Sequence, residues 1–272
     1  MYKMVLSDLD ETLLVNHHVP KFNQEAIASA RKKGVKFVPA TGRAYNMIQE
    51  ILKEIGTYQK EEEYSICFNG GLIVENKDNR ILHFQGLSFE QTKELFELGR
   101  HYDVCVLIFT LDCCYIFKAD PNEVQRKIDQ KARFEVHDEY NMDFLKDEKI
   151  AKILFEKRDM EYLKRVEKEI QPHIEGKVCA SYSSYRYLEL NAIGVDKGQG
   201  LRWLADYLGL TSEEVIAIGD NYNDVEMIKE AGFGVCVSSA TDEIKVLSDY
   251  VTNNDYHEGA VKEVIEKYIL ED

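Results

Sequence analysis

Proline is scarce, with four in 272 residues, and the chain has no low-complexity tract and no internal repeat. This excludes a proline-rich linker and a solenoid. No apolar run approaches the ~18 residues of a membrane-spanning helix, so no span is expected. The N-terminus reaches Asp8 too early for the apolar core of a signal peptide, so the expected location is the cytoplasm. None of the six cysteines (Cys67, Cys105, Cys113, Cys114, Cys179 and Cys236) forms a Cys-x-x-Cys pair. A zinc knuckle is thus excluded. Most sit in apolar, strand-like runs and read as reduced, buried thiols. Cations are also short, with 34 Lys and Arg against 49 Asp and Glu, a net charge of −15. Such a chain repels nucleic acid and anionic membranes at long range, and neither is expected as a partner. The same field repels phosphate esters. To handle one, the chain needs a local cation, either a metal or a placed Lys or Arg.

What is present is an ordinary globular composition, 44% hydrophobic and 31% charged, long enough for one large or two modest domains. The first third alternates: strand at 4–9, helix at 23–33 closed by Gly34, strand at 36–40, helix at 44–55 closed by Gly56, strand at 64–68. The last third repeats the pattern, with helices at 198–208, 223–231 and 259–270 and strands at 215–218 and 234–237. Strands alternating with helices of this length predict βαβ units and a Rossmann-like, doubly wound parallel sheet. The middle differs. Helices at 89–102 and 160–170 are surrounded by strand candidates at 104–110, 115–118, 152–155 and 179–190. The expectation is an α/β core over 1–85 and 190–272 with an inserted α+β domain over 86–189.

Four polar segments follow a strand or open a helix, and in open α/β sheets ligands bind at the carboxyl ends of strands. The first is Asp8-Leu9-Asp10-Glu11-Thr12. Two carboxylates this close repel unless a cation lies between them, and a hard, oxygen-seeking divalent ion such as Mg²⁺ answers that. An EF-hand is excluded, because its sixth position would be Leu13 and its twelfth Val19. The second is Thr41-Gly42-Arg43, whose hydroxyl and backbone N–H groups at a strand-to-helix turn suit a phosphate or simply cap a helix. The third is Lys197. A cation at a helix start is disfavoured by the macrodipole, so it either neutralises an anion or is a plain surface lysine. The fourth is Gly219-Asp220-Asn221-Tyr222-Asn223-Asp224. Here Asp220 could complete a metal site, while Asn223 and Asp224 could orient ligands or cap the helix.

Together these segments resemble the haloacid dehalogenase superfamily of phosphohydrolases, and within it the Cof-type phosphatases with a type IIB α/β cap between the second and third motifs. The match runs the whole chain in order: 8–12, 41–43, Lys197 and 219–224. The resemblance implies a Mg²⁺-dependent phosphatase of small phosphorylated metabolites (sugar phosphates, nucleotides or cofactor phosphates) working through an aspartyl-phosphate. By the same resemblance Asp8 is nucleophile and metal ligand. Asp10 is general acid and base and lends its carbonyl to the metal. Asp220 is the third protein contact to the metal. Leu9, Thr41, Gly42, Lys197 and Asn223 hold the phosphate, and Asp224 and Thr12 support the metal from behind. The inserted domain is expected to select the leaving group.

Two positions depart from the family's pattern: Glu11 stands for a common glycine, and Ser238-Ser239 for a common Gly-Asn. The tail from Asn253 to Val261 matches the usual final loop and helix. His17-His18 lacks a third ligand and reads as a loop. Trp203, on a face with Leu201, Leu204 and Leu208, reads as core. Arg43 and Arg186 are the candidates for gripping substrate, although Arg186 among tyrosines also reads as a packed strand with a snorkelling side chain. A phosphomutase on the same core and a phospho-accepting switch are the alternative functions. The first is weakened by Glu11 beside Thr12. The second is weakened by the inserted domain and the fourth segment, since receiver domains have neither.

Overall fold

The computed structural model describes residues 1–271. The chain divides into two units: Met1–Phe84 with the chain from Asp196 onward, and Gln85–Val195. It opens with β1 (Met4–Ser7), α1 (Lys21–Lys32), β2 (Lys36–Pro39), α2 (Gln49–Glu54), β3 (Tyr64–Cys67), β4 (Leu72–Glu75) and β5 (Arg80–Phe84). The second unit carries α3 (Phe89–Arg100), β6 (Cys105–Thr110), β7 (Cys114–Phe117), α4 (Pro121–Asp129), β8 (Phe134–His137), β9 (Ile150–Glu156), α5 (Met160–Ile174), β10 (Val178–Ser183) and β11 (Tyr187–Ala192). The chain then returns with α6 (Lys197–Leu208), β12 (Val215–Gly219), α7 (Val225–Glu230), β13 (Phe233–Cys236), α8 (Asp242–Lys245), β14 (Tyr250–Val251) and α9 (Ala260–Ile265). No helix among the described residues is long and apolar enough to cross a membrane.

The first unit is built on a parallel sheet in the order β14-β13-β12-β1-β2. Every residue of β1 and β12 is buried, as the apolar runs of a parallel sheet covered on both faces require. Ser7 lies opposite both Pro39 and Ile218, so β1, β2 and β12 end level with one another. The residues that follow these strands therefore emerge at one edge. Helix α6 is fixed at both ends. The Asp196 side chain accepts the Gln199 N–H at 2.7 Å, and Gly209 closes the helix in the left-handed conformation at φ 68°.

Two expectations differ here. The helix foreseen at 44–55 is a 3₁₀ turn, Tyr45–Met47, followed by the short α2. The strand foreseen at 64–68 is β3, but it belongs to a separate antiparallel sheet β3-β4-β5. A single bridge between Ala40 and Ile66 ties that sheet to the end of β2.

The second unit has a six-stranded sheet in the order β10-β11-β9-β6-β7-β8, antiparallel except for β7 with β8. Helices α3 and α5 cover one face through an apolar core that includes Phe96, Ile108, Ile153, Phe155, Leu163 and Leu188. The opposite face is polar, with Lys152, Glu156, Glu189 and Asn191 all buried. The strand expected over 179–190 is instead the β10–β11 hairpin. Its turn places Ser184 and Tyr185 in the left-handed region, φ 52° and 51°, without a glycine or proline to mark it. Strand β11 stays in this sheet to Ala192, so the chain leaves the second unit after Val195 and not at 189. No disulfide forms among the described residues; five of the six cysteines are buried and Cys179 is exposed.

Candidate active site

Asp8 leaves the end of β1 with 7% of its surface exposed. Its N–H donates to the Ile218 carbonyl at 2.9 Å, extending the β1–β12 ladder by one residue. The side chain meets Lys197, the first residue of α6, whose ammonium donates to Asp8 Oδ1. The same ammonium donates to Asp224 Oδ1 at 2.5 Å, and both Lys197 and Asp224 are fully buried. Asp224 is held in turn by the loop after β12, for its Oδ2 accepts the N–H groups of Asp220 at 3.0 Å and Asn221 at 3.1 Å. That closure requires glycine at 219, where an added Cβ would lie 2.4 Å from Asp224 Cβ. Asp220 Oδ1 accepts the Thr12 hydroxyl at 2.7 Å. Three distant stretches of chain thus meet at one edge of the sheet.

One oxygen from each of Asp8, Asp220 and Asp224 lies within 4.8 Å of the others. Three carboxylates surround one ammonium, leaving two negative charges in surplus when all are ionised. The protonation equilibria record that surplus. Burial raises Asp8 well above the ordinary carboxylate range; Lys197 opposes this, and Asp224 and Asp220 add to it. Burial and then the Asp224 charge push Asp220 up to about 7 against the Thr12 hydrogen bond. For Lys197, burial favours the neutral amine, but Asp224 and Asp8 outweigh it and hold the ammonium charged. A buried, all-oxygen donor set with excess negative charge suits a hard divalent cation, which would remove the reason for these carboxyls to protonate.

The other candidates are placed as follows. Asp10 is exposed, and its carboxylate is gripped by the Arg43 fork, Nε to Oδ2 at 3.0 Å and Nη2 to Oδ1 at 2.5 Å. Arg43 therefore binds a neighbouring carboxylate in this structure. Arg186 lies in the second unit at the β10–β11 turn, its Nε donating to the Ser184 carbonyl at 3.4 Å. Leu9 is fully buried, and its carbonyl accepts the N–H groups of Leu13 and Leu14 at 3.0 and 2.8 Å, curling the loop after β1. Buried Thr41 donates its N–H to the Ile66 carbonyl at 2.9 Å, and its hydroxyl oxygen accepts the Arg43 N–H at 3.2 Å. Gly42 follows in the turn, beside the amide of Asn69.

Asn223 is exposed and donates through Nδ2 to Asn69 Oδ1 at 3.2 Å. The only sequence signal for Asn69 was its place after an apolar strand, before Gly70-Gly71. His18 Nδ1 lies 2.7 Å from Glu54 Oε1 and closes a loop against α2, and both His17 and His18 are exposed. Trp203 packs against the apolar core of the first unit and stacks on His83 and Tyr207. Glu11 is exposed and left-handed at φ 60°, which is the physical reason a glycine suits that position.

Comparison with known proteins adds the following. The profile of a family described as haloacid dehalogenase-like hydrolase matches residues 5–265. YxeH of Bacillus subtilis is 29% identical over 267 residues, 98% of each chain. The 5-amino-6-(5-phospho-D-ribitylamino)uracil phosphatase YcsE of Bacillus subtilis is 27% identical over 263 residues, 96% of this chain and 94% of that one. A solved haloacid dehalogenase-like hydrolase from Bacteroides thetaiotaomicron superposes with a TM-score of 0.86 at 30% identity, over 98% of this chain and 99% of that one.

Proposed function

This chain belongs to the haloacid dehalogenase-like hydrolases and is a phosphatase, and from that premise we propose that it hydrolyses small phosphate monoesters through a phosphoryl group carried on Asp8. The observation that carries the proposal is the buried Lys197 bridging Asp8 and Asp224, with Asp220 beside them and charge left uncompensated.

In the first step the Asp8 carboxylate attacks phosphorus in line. The bond from phosphorus to the ester oxygen breaks, and the departing oxygen takes a proton from Asp10. Asp10 then removes a proton from water. The water oxygen attacks the acyl phosphate, and the P–O bond to Asp8 breaks to give inorganic phosphate. To reach the leaving oxygen, the Asp10 carboxyl must exchange its Arg43 partner for the substrate. Leu9, Gly42 and Asn223 are assigned hydrogen bonds to phosphate oxygens through N–H groups, and Thr41 through its hydroxyl. Lys197 neutralises the charge shared by Asp8 and the phosphate. Asp8, Asp220 and the Asp10 carbonyl are assigned to Mg²⁺, with Asp224 and Thr12 orienting them. The bound ion supplies charge neutralisation at the equatorial oxygens. In an acidic protein of net charge −15, Lys197 and the metal are the local cations that admit a phosphate.

YcsE, by its name, acts on a phosphorylated ribityl compound. Polyol and sugar phosphates therefore head the substrate panel, followed by nucleotides and cofactor phosphates. Choice of leaving group is assigned to the 85–195 unit. The test is phosphate release from such a panel with Mg²⁺, alongside Asp8→Asn and an EDTA arm. Release by the wild type that disappears in both controls is the expected result. A folded wild type that releases phosphate from no ester would end the proposal.

A further inference from the structure

Between β3 and β4 the chain makes a turn that touches three of the four polar segments. Phe68, Asn69 and Gly70 are all left-handed, with φ of 49°, 54° and 98°. Left-handed backbone at two successive non-glycine residues is uncommon and costs strain that local contacts must offset. The surroundings here are the site itself. The Phe68 N–H donates to the Arg43 carbonyl at 3.0 Å, and the Asn69 N–H to the Thr41 carbonyl at 2.9 Å. A Cβ on Gly70 would stand 2.1 Å from the Asp196 carbonyl oxygen, immediately before Lys197. The side chain of Asn69 completes the set. Its Oδ1 accepts from Asn223 Nδ2 at 3.2 Å and lies 3.1 Å from where a Cβ on Gly42 would be. The turn thus aims one amide into the junction of the 41–43 and 219–224 segments.

We propose that Asn69 is a positioning residue of the phosphate site: it holds the Asn223 amide beside the Thr41-Gly42 turn, so that the second Nδ2 hydrogen of Asn223 is presented to the phosphate. Gly42 is then needed for a second reason, because any side chain there would displace Asn69. The inference rests on the phosphatase reading above and adds a residue to it.

The experiment compares wild type, Asn69→Gly, Asn223→Ala and the double variant. Two quantities are read: the Kd for inorganic phosphate by calorimetry with Mg²⁺ present, and kcat and KM on p-nitrophenyl phosphate. Glycine keeps the left-handed turn and deletes only the amide, so the thermal midpoint should hold. Asn69→Gly should weaken phosphate binding about fivefold, the worth of one ordinary hydrogen bond, and raise KM more than it lowers kcat. In the Asn223→Ala background the same change should cost less than about twofold, because the two residues act as one. Equal factors in both backgrounds would overturn the proposal. So would a lowered thermal midpoint with phosphate affinity intact, which marks a merely structural turn. A wild type that neither binds nor releases phosphate overturns the phosphatase reading as well, whereas an active wild type indifferent to Asn69 overturns this inference alone.

Discussion

In the 85–195 unit, Lys152 lies 2.6 Å from Glu189 and Lys127 lies 2.8 Å from Glu123, with every one of these side chains at 7% exposure or less. In the other unit, one buried lysine faces Asp8 and Asp224 with Asp220 alongside. In both places lysine and carboxylate are buried together, yet the carboxyls of Glu189 and Asp8 respond in opposite directions. Burial alone would raise Glu189, but Lys152 and then the Ser183 hydroxyl outweigh it and hold the group below the ordinary range. Asp8 is raised in spite of Lys197. Charges matched one to one satisfy each other and hold a fold together. A surplus is a standing demand for something from outside, and that is what separates a binding site from a buried network.

The largest effects should come from making the same substitution in both places. Lys197→Met removes the ammonium from the surplus site and should lower turnover roughly 10²–10³-fold, the scale of losing one preorganised charge-stabilising donor. Lys152→Met leaves Glu189 buried without its ion-pair partner, held by the Ser183 hydroxyl. Urea unfolding should register a loss of about 3–5 kcal/mol. Adding Glu189→Leu should return most of that loss, since a matched buried pair contributes little net stability over apolar residues of similar size. A Lys152→Met protein of unchanged urea midpoint would show that the second network is not structural, and the contrast would fall.

Glu156 on β9 sharpens the comparison because it breaks the matching rule inside the second unit. It is 3% exposed and forms no ion pair among the described residues. Burial, then the charges of Glu123 and Asp120, raise it from the ordinary 4.5 to about 7, with Arg186 and Arg158 opposing. The sign follows. Between about pH 4.5 and 7 the folded protein keeps a proton that the unfolded chain has lost, so stability falls as pH rises through that window and is level above it. Glu156→Gln should abolish this component and gain about 2–3 kcal/mol over wild type at pH 8 relative to pH 5. Parallel pH profiles for the two proteins, measured by urea unfolding, would return Glu156 to the rank of a satisfied group.

How much of this could be read from the chain depends on which interactions leave a local pattern. Three of the four polar segments were legible because each follows an apolar strand at the point where a parallel sheet exposes its strand ends, and the fourth, Lys197, because it places a cation at the start of a helix. Pairings between distant residues leave no such trace. Nothing in the sequence links Arg43 to Asp10 or Asn69 to Asn223, although all four residues flank recognisable motifs. Helix α4 escaped for a different reason. It buries Glu123 and Lys127 and leaves Ile128 52% exposed, so a search for an apolar stripe looks at the wrong face. The β10–β11 hairpin escaped because its turn uses Ser184 and Tyr185, where glycine or asparagine would have announced a left-handed pair.

The smallest effect is expected at Glu11, which tests whether proximity to the surplus site is enough to make a charge part of it. Glu11 is exposed, yet its charge is among those that raise Asp220. Its backbone, at φ 60°, costs roughly 1 kcal/mol more for glutamate than for glycine. Glycine offsets that gain by adding about 0.5–1 kcal/mol of conformational freedom to the unfolded chain. Glu11→Gly should therefore change stability by no more than about 0.5 kcal/mol. Because a solvated carboxylate acts weakly across water, turnover should stay within about threefold. A tenfold fall in turnover at constant stability would place the Glu11 carboxylate inside the site. The surplus charge would then be four acids around one lysine, and the division between matched and unmatched networks would have to be drawn one residue wider.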